Sequence, residues 1–156
     1  MSEETRNSVA TGISMLGLFI QQLMEEEGLE KTLGYYKKLG YAFGSGTAAN
    51  FKERFGARTP TPEELKKALE TNYSNMGMDM QITTKSDGIE IKINKCPFYQ
   101  GLSMSGMDHD AITKFCKEAS SGEYAAVTEA YPKLEVFSNP RSHENGVCIE
   151  GYKIKR

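Results

Sequence analysis

The chain has 156 residues, 38% of them hydrophobic and 26% charged, with 19 basic against 21 acidic side chains and a net charge of -2. A length in this range fits one domain, which buries roughly 68–70% of its unfolded surface and needs no staples to fold. The basic residues are scattered rather than gathered into a stripe with aromatics, which argues against a nucleic-acid partner.

The opening MSEETRNSVATG has no basic segment leading into an apolar run, and the longest apolar stretch, MLGLFI, is far too short to span a bilayer. A cytoplasmic chain with no membrane segment is expected. Ile13, Leu16, Ile20, Leu23 and Met24 recur at helical spacing and mark a first helix ending near Gly28. Its acidic end, Glu25 to Glu27, is expected at a turn facing water, because negative charge opposes the dipole at a helix C-terminus.

A second helix is expected over residues 29–55, with Leu33, Tyr36, Leu39, Phe43, Phe51 and Phe55 on or near one stripe. Gly34, Gly40, Gly44 and Gly46 interrupt it. At about 0.5–1 kcal/mol each relative to alanine, they imply a kink, a break near Gly44-Ser45-Gly46, or close approach of another backbone. That stretch is no phosphate loop, because no Gly-Lys-Ser/Thr follows it and no strand precedes it. Thr61-Pro62-Glu63-Glu64 then reads as a capped helix start, with threonine as cap, proline in the first turn and Glu64 closing a capping box. This third helix runs to about Asn75 and buries Leu65, Ala68, Leu69 and Tyr73.

After Gly77 the period changes to alternation, with Ile89, Ile91 and Ile93 facing one side and Glu90, Lys92 and Asn94 the other. Ser86-Asp87-Gly88 supplies a turn, so residues 80–85 should pair with this strand as an antiparallel hairpin. Two shorter helices follow, over about 109–119 and 122–131, with Ser120 and Glu123 spaced as a capping box and Pro132 ending the second. Residues 134–137 and 147–155 form a last hairpin, with Asn145-Gly146 turn chemistry in its long connection. The order predicts a single α+β domain over 1–156, an antiparallel sheet of about four strands packed against several helices on one side.

Three well-separated cysteines exclude a complete disulfide framework and suit a reducing compartment. Cys96 ends the isoleucine strand and is followed by Pro97, Cys116 lies on the helix DHDAITKFCKE, and Cys148 opens the last strand. An antiparallel sheet could bring the two strand cysteines together with the helix above them. Three roles are open to them. They can be small core hydrophobes, or with His109 or His143 they complete a four-ligand zinc set, though no CxxC spacing supports one. As reactive or ligand-contacting thiols they require a pKa lowered by Lys95, Lys117 or a histidine. His109 sits at a helix start between Asp108 and Asp110, and His143 in the polar loop SNPRSHENG. Arg141 of that loop either pairs its planar fork with a carboxylate ligand or lies on the surface without one. Tyr35, Tyr36, Tyr41, Phe43, Tyr99 and Met104 are expected in the core.

Cys96-Pro97-Phe98-Tyr99 after a strand, Cys116 on the next helix, and Gly146 with Cys148 opening the last strand resemble the L-2-amino-thiazoline-4-carboxylic acid hydrolase family. More distantly, the chain is similar to the vinyl-4-reductase type of small-molecule-binding domain, whose glycine-bearing helices look like LGYAFGSG. Where hydrolase-type members carry an aspartate three residues after the helix cysteine and an acidic-aromatic pair after the last one, this chain has Ala119 and Ile149-Glu150, with Glu118 and Glu150 as substitutes. The close cysteine pair of the zinc-binding vinyl-4-reductase members is absent. The first resemblance implies a cysteine-centred hydrolase site that opens a cyclic thiazoline or amidine-type molecule, with Cys96, Cys116, Cys148, Glu118 and His143 as its residues. The second implies a non-catalytic sensor of a small molecule or metal, in a homodimer.

Overall fold

A computed structural model describes residues 2–156. Helix α1 (Ser2–Glu27) carries Glu3 and Glu4 in its first turn, where the dipole favours them, and stops at Gly28, whose φ of 84° few other residues adopt. Glu25 to Glu27 are exposed. Helix α2 (Leu29–Phe55) is continuous, so of the three alternatives left open by its glycines the break near Gly44-Ser45-Gly46 is absent.

The reason lies in helix α5 (His109–Ala130). A Cβ at Gly40 would stand 2.1 Å from the carbonyl oxygen of Ala119, and one at Gly44 2.4 Å from that of Glu123. From the opposite side, a Cβ at Gly122 would stand 2.1 Å from the Lys37 carbonyl. Close backbone approach, rather than a kink, is what these glycines serve. The contacts advance in the same direction along both helices, from Tyr36 against Phe115 to Phe51 against Tyr131, so the two run parallel. Gly122 therefore belongs to a contact and not to a break. One helix replaces the two expected around Ser120, and the Ser120–Glu123 capping box is not formed.

Helix α3 (Pro62–Asn75) starts with the expected capping box between Thr61 and Glu64. Strands β1 (Asp79–Lys85) and β2 (Gly88–Lys95) make the first hairpin. A helix that the sequence reading did not separate, α4 (Pro97–Met104), follows at once, because Pro97 is a terminator of strands but a favourable first residue of helices. It packs on α1, where a Cβ at Gly101 would stand 2.5 Å from the Ala10 carbonyl. Strands β3 (Leu134–Asn139) and β4 (Cys148–Ile154) complete an antiparallel sheet of order β1-β2-β4-β3.

Register decides which β4 side chains face the helices. Ile89, Ile91 and Ile93 stand opposite Tyr152, Glu150 and Cys148, and Val136 and Ser138 of β3 stand opposite Tyr152 and Glu150. The isoleucines pack with Phe51, Leu65, Leu69, Tyr73, Val127 and Tyr152 in one core cluster. The same face therefore carries Cys148 and Glu150. Glu90 and Lys92 occupy the opposite face. A second cluster joins Ile20, Tyr36, Leu102, Met107, Ile112 and Phe115 between α1, α2, α4 and α5. Of the aromatic and apolar side chains expected in the core, Tyr36 is buried, whereas Tyr35, Tyr41, Phe43 and Met104 lie on the surface. α2 and α4 each have only one covered face. Among the described residues no helix is long and apolar enough to cross a membrane.

Candidate functional site

The three cysteines lie at the seam of the two core clusters. Cys96 and Cys148 pack against the sheet cluster, and Cys116 against the helical one. Cys148 stands opposite Ile93 on β2, three residues before Cys96. All three are free thiols. They come close enough for the charges of Cys96 and Cys148 both to act on Cys116.

Cys96 is the N-cap residue of α4, where the backbone N–H groups of Phe98 and Tyr99 point at its sulfur. Burial nevertheless dominates and pushes its pKa up to about 11. Burial and the other two sulfurs push the Cys116 thiol up further, with Arg141 opposing them. This corrects the expected lowering: Lys95 and Lys117 are exposed, and neither acts on these thiols.

Two carboxyl groups share the site. Glu150 follows Cys148 by two residues on the inner face of β4 and accepts a 2.6 Å hydrogen bond from the Tyr73 hydroxyl. Glu123 follows Cys116 by seven residues, about two helical turns, and so lies on the same stripe of α5. Burial first, and then the charge of Glu150, raise the Glu123 pKa to about 8. Burial also raises Glu150, against the Tyr73 hydrogen bond that lowers it. No ion pair among the described residues reaches either carboxyl. Cys96, Cys116, Cys148, Glu123 and Glu150 are surrounded by protein, yet each retains some accessible surface. That combination places them at the partly buried seam between sheet and helices.

Arg141 lies close enough to act on Cys116. It is only 6% exposed, so it is not the surface arginine of the alternative reading. Its guanidinium carbon lies 4.3 Å from the centre of the Tyr99 ring, and its Nη1 donates to the Glu144 carbonyl at 3.3 Å. Nε and Nη2 are shielded from water and have no partner. Tyr99 is held in turn by a 2.9 Å hydrogen bond between its hydroxyl and His109 Nδ1.

Glu118 and His143 are not brought to the thiols. Glu118 lies two residues beyond Cys116, about 200° around the helix, and so points away from it. His143 is exposed at the tip of the β3–β4 loop, where its carbonyl accepts the Gly146 N–H. No group of three His, Cys, Asp or Glu among the described residues is arranged to hold a metal ion, so the zinc set drawn from the sequence has no geometric counterpart. A separate open depression of about 520 Å³ is lined by charged residues including Arg6, Glu70, Asp79 and Lys95, and shares no residue with the thiol site. Glu70, Asp79 and Lys95 are exposed there, whereas Arg6 is buried. The chemistry-bearing side chains therefore single out the seam and not this depression.

Neither a protein-family model nor a curated protein matches the chain.

Proposed function

We propose that the domain binds a small organic molecule in the thiol-lined cleft and acts on it as a hydrolase that opens a cyclic thiazoline or amidine-type ring. The observation that supports this reading is the gathering of Cys96, Cys116 and Cys148 with the carboxyl of Glu150, which in turn lies close enough to Glu123 to act on it. In such a reaction water adds to the amidine-type carbon, one ring bond to that carbon breaks, and the leaving heteroatom takes a proton. A carboxyl held protonated near neutral pH suits the donor role, and Glu123 is one. Glu150, hydrogen-bonded by Tyr73, suits acceptance of a proton from water or a thiol. These two groups fit proton transfer better than Glu118 or His143, which lie outside the cleft.

A second reading has its own support. Thiols whose pKa is raised by burial are neutral at physiological pH and serve well as soft cleft walls, which suits a sensor of the vinyl-4-reductase type that binds without turnover. Incubation with L-2-amino-thiazoline-4-carboxylate, with the ring-opened product quantified by mass spectrometry, separates the two. The hydrolase reading expects turnover that is lost in at least one of Cys96→Ala, Cys116→Ala and Cys148→Ala while circular dichroism stays unchanged. Saturable binding by wild type with no product would leave the sensor, and turnover indifferent to all three substitutions would remove the thiols from the chemistry.

A further inference from the structure

We propose that Arg141 is the anion anchor of the cleft and takes the carboxylate of a small monoanionic ligand through its Nε–H and Nη2–H edge. This deepens the reading above by assigning the chemical class of the ligand, and it rests on that reading only in placing the ligand beside the thiols.

A buried arginine normally has its N–H groups satisfied, because an unmade hydrogen bond on a charged donor is among the costlier defects a fold can carry. Arg141 has one partner, the Glu144 carbonyl on Nη1, and a second favourable contact through its face, the Tyr99 ring. What remains is Nε and Nη2. By the covalent geometry of the side chain these two groups direct N–H bonds from one edge of the guanidinium plane, the fork that matches the two oxygens of a carboxylate. No carboxylate of the described residues pairs with it. The charge acts on both Cys116 and Tyr99, which places the guanidinium near the thiols.

The surroundings select among anions. Arg141 is the cation that acts on Cys116, so a carboxylate with a single charge is matched there, whereas a dianion such as phosphate brings a second charge that no neighbouring cation offsets. The Tyr99 ring covers one face of the guanidinium and leaves the in-plane approach to a flat group. Both donor atoms are shielded from water. The 140–147 loop must therefore give way as the carboxylate arrives.

The test uses the full-length protein and four probes at constant ionic strength: thiazole-4-carboxylate, its neutral carboxamide, inorganic phosphate and chloride. Binding is followed by calorimetry and by the Arg141 Nε–H resonance in an NMR spectrum. The carboxylate should bind saturably and move that resonance, with the carboxamide, phosphate and chloride weaker by about tenfold to a hundredfold, the range for loss of a charge-assisted hydrogen bond. Arg141→Lys, which keeps the charge but lacks the fork, should abolish the advantage of carboxylate over carboxamide. The Nε–H reading in wild type needs no variant, so a poorly folding substitution cannot obscure the result. Equal binding of carboxylate and carboxamide overturns the proposal, as does equal or tighter binding of phosphate. An Arg141 resonance that responds only after Glu144→Gln also overturns it, by making the Glu144 side chain the natural partner. Carboxylate binding without turnover leaves the anchor intact and counts only against the hydrolase.

Discussion

Glu123→Gln tests the electrostatics of the site directly. The Glu123 carboxyl has an ordinary pKa of 4.5 and is held at about 8 in the folded protein, chiefly by burial and next by the charge of Glu150. Because the folded value is the higher one, its contribution is fully present below pH 4.5 and is lost as pH rises through about 8. In that window the unfolded chain has released the proton that the native protein retains. The interval corresponds to about 5 kcal/mol at 1.36 kcal/mol per pH unit, a large fraction of the stability of a domain this size. Wild-type unfolding free energy should therefore fall by several kcal/mol between pH 5 and pH 8, and Glu123→Gln, which cannot ionise, should flatten most of that fall. Urea denaturation at half-unit pH steps, followed by circular dichroism, gives both curves. Glu150 is coupled to the same proton, so Glu150→Gln should lower the apparent pKa of Glu123 and shift the fall to lower pH. A wild-type curve that is flat or rises over this window would refute the reasoning.

Three further outcomes are expected. Gly40→Ala and Gly44→Ala force a methyl into the α5 backbone and should each destabilise by more than about 2 kcal/mol, whereas Gly34→Ala, with nothing within 4 Å, should stabilise by about 0.5–1 kcal/mol; thermal melts of the three decide it. Tyr73→Phe leaves Glu150 without its hydroxyl partner and should lose about 1–3 kcal/mol in urea denaturation at neutral pH, and an unchanged midpoint would mean that the carboxyl is satisfied otherwise. Iodoacetamide at pH 7 should label Cys96 and Cys116 much more slowly than a free thiol, with Cys116 the slower of the two and both accelerating above pH 9, as peptide mass spectrometry would show.

The α+β class and both hairpins were legible because strand alternation and turn chemistry are local signals, carried by Ile89, Ile91 and Ile93 and by Ser86-Asp87-Gly88. The third helix announced its start through Thr61 and Glu64 for the same reason. What failed was punctuation by residues whose role is tertiary. The glycines of α2 left a kink, a break and close backbone approach open, and Gly40 and Gly44 serve the last, whereas the Ser120-Ser121-Gly122 segment read as a break although Gly122 is a contact point between two helices remote in sequence. That reading also concealed one residue of the proposed site. Once Glu123 was assigned to a helix cap, its seven-residue spacing from Cys116 on one continuous helix could not be seen, and Glu118, closer in sequence, stood in for it. Glu150 was noticed as a substitute for a missing acidic residue, although its two-residue spacing from Cys148 on a strand already put both on one face. The burial of Arg141 had no sequence signal, because a polar loop is expected to face water.

The glycine contacts between α2 and α5 also determine where the molecule can adapt. With Ala119 and Glu123 pressed against Gly40 and Gly44, α5 cannot slide or rotate without driving backbone into backbone, so Cys116 and Glu123 keep a fixed spacing. β4 is pinned on both edges by β2 and β3, which fixes Cys148 and Glu150 likewise. Cys96 is a single residue held between β2 and α4, whereas Arg141 lies in the longer stretch between β3 and β4 that belongs to neither helix nor strand. Ligands of different length would thus be accommodated by resetting that loop, so natural variation in what the site accepts should be concentrated in residues 140–147 while the thiol and carboxyl positions stay geometrically constant.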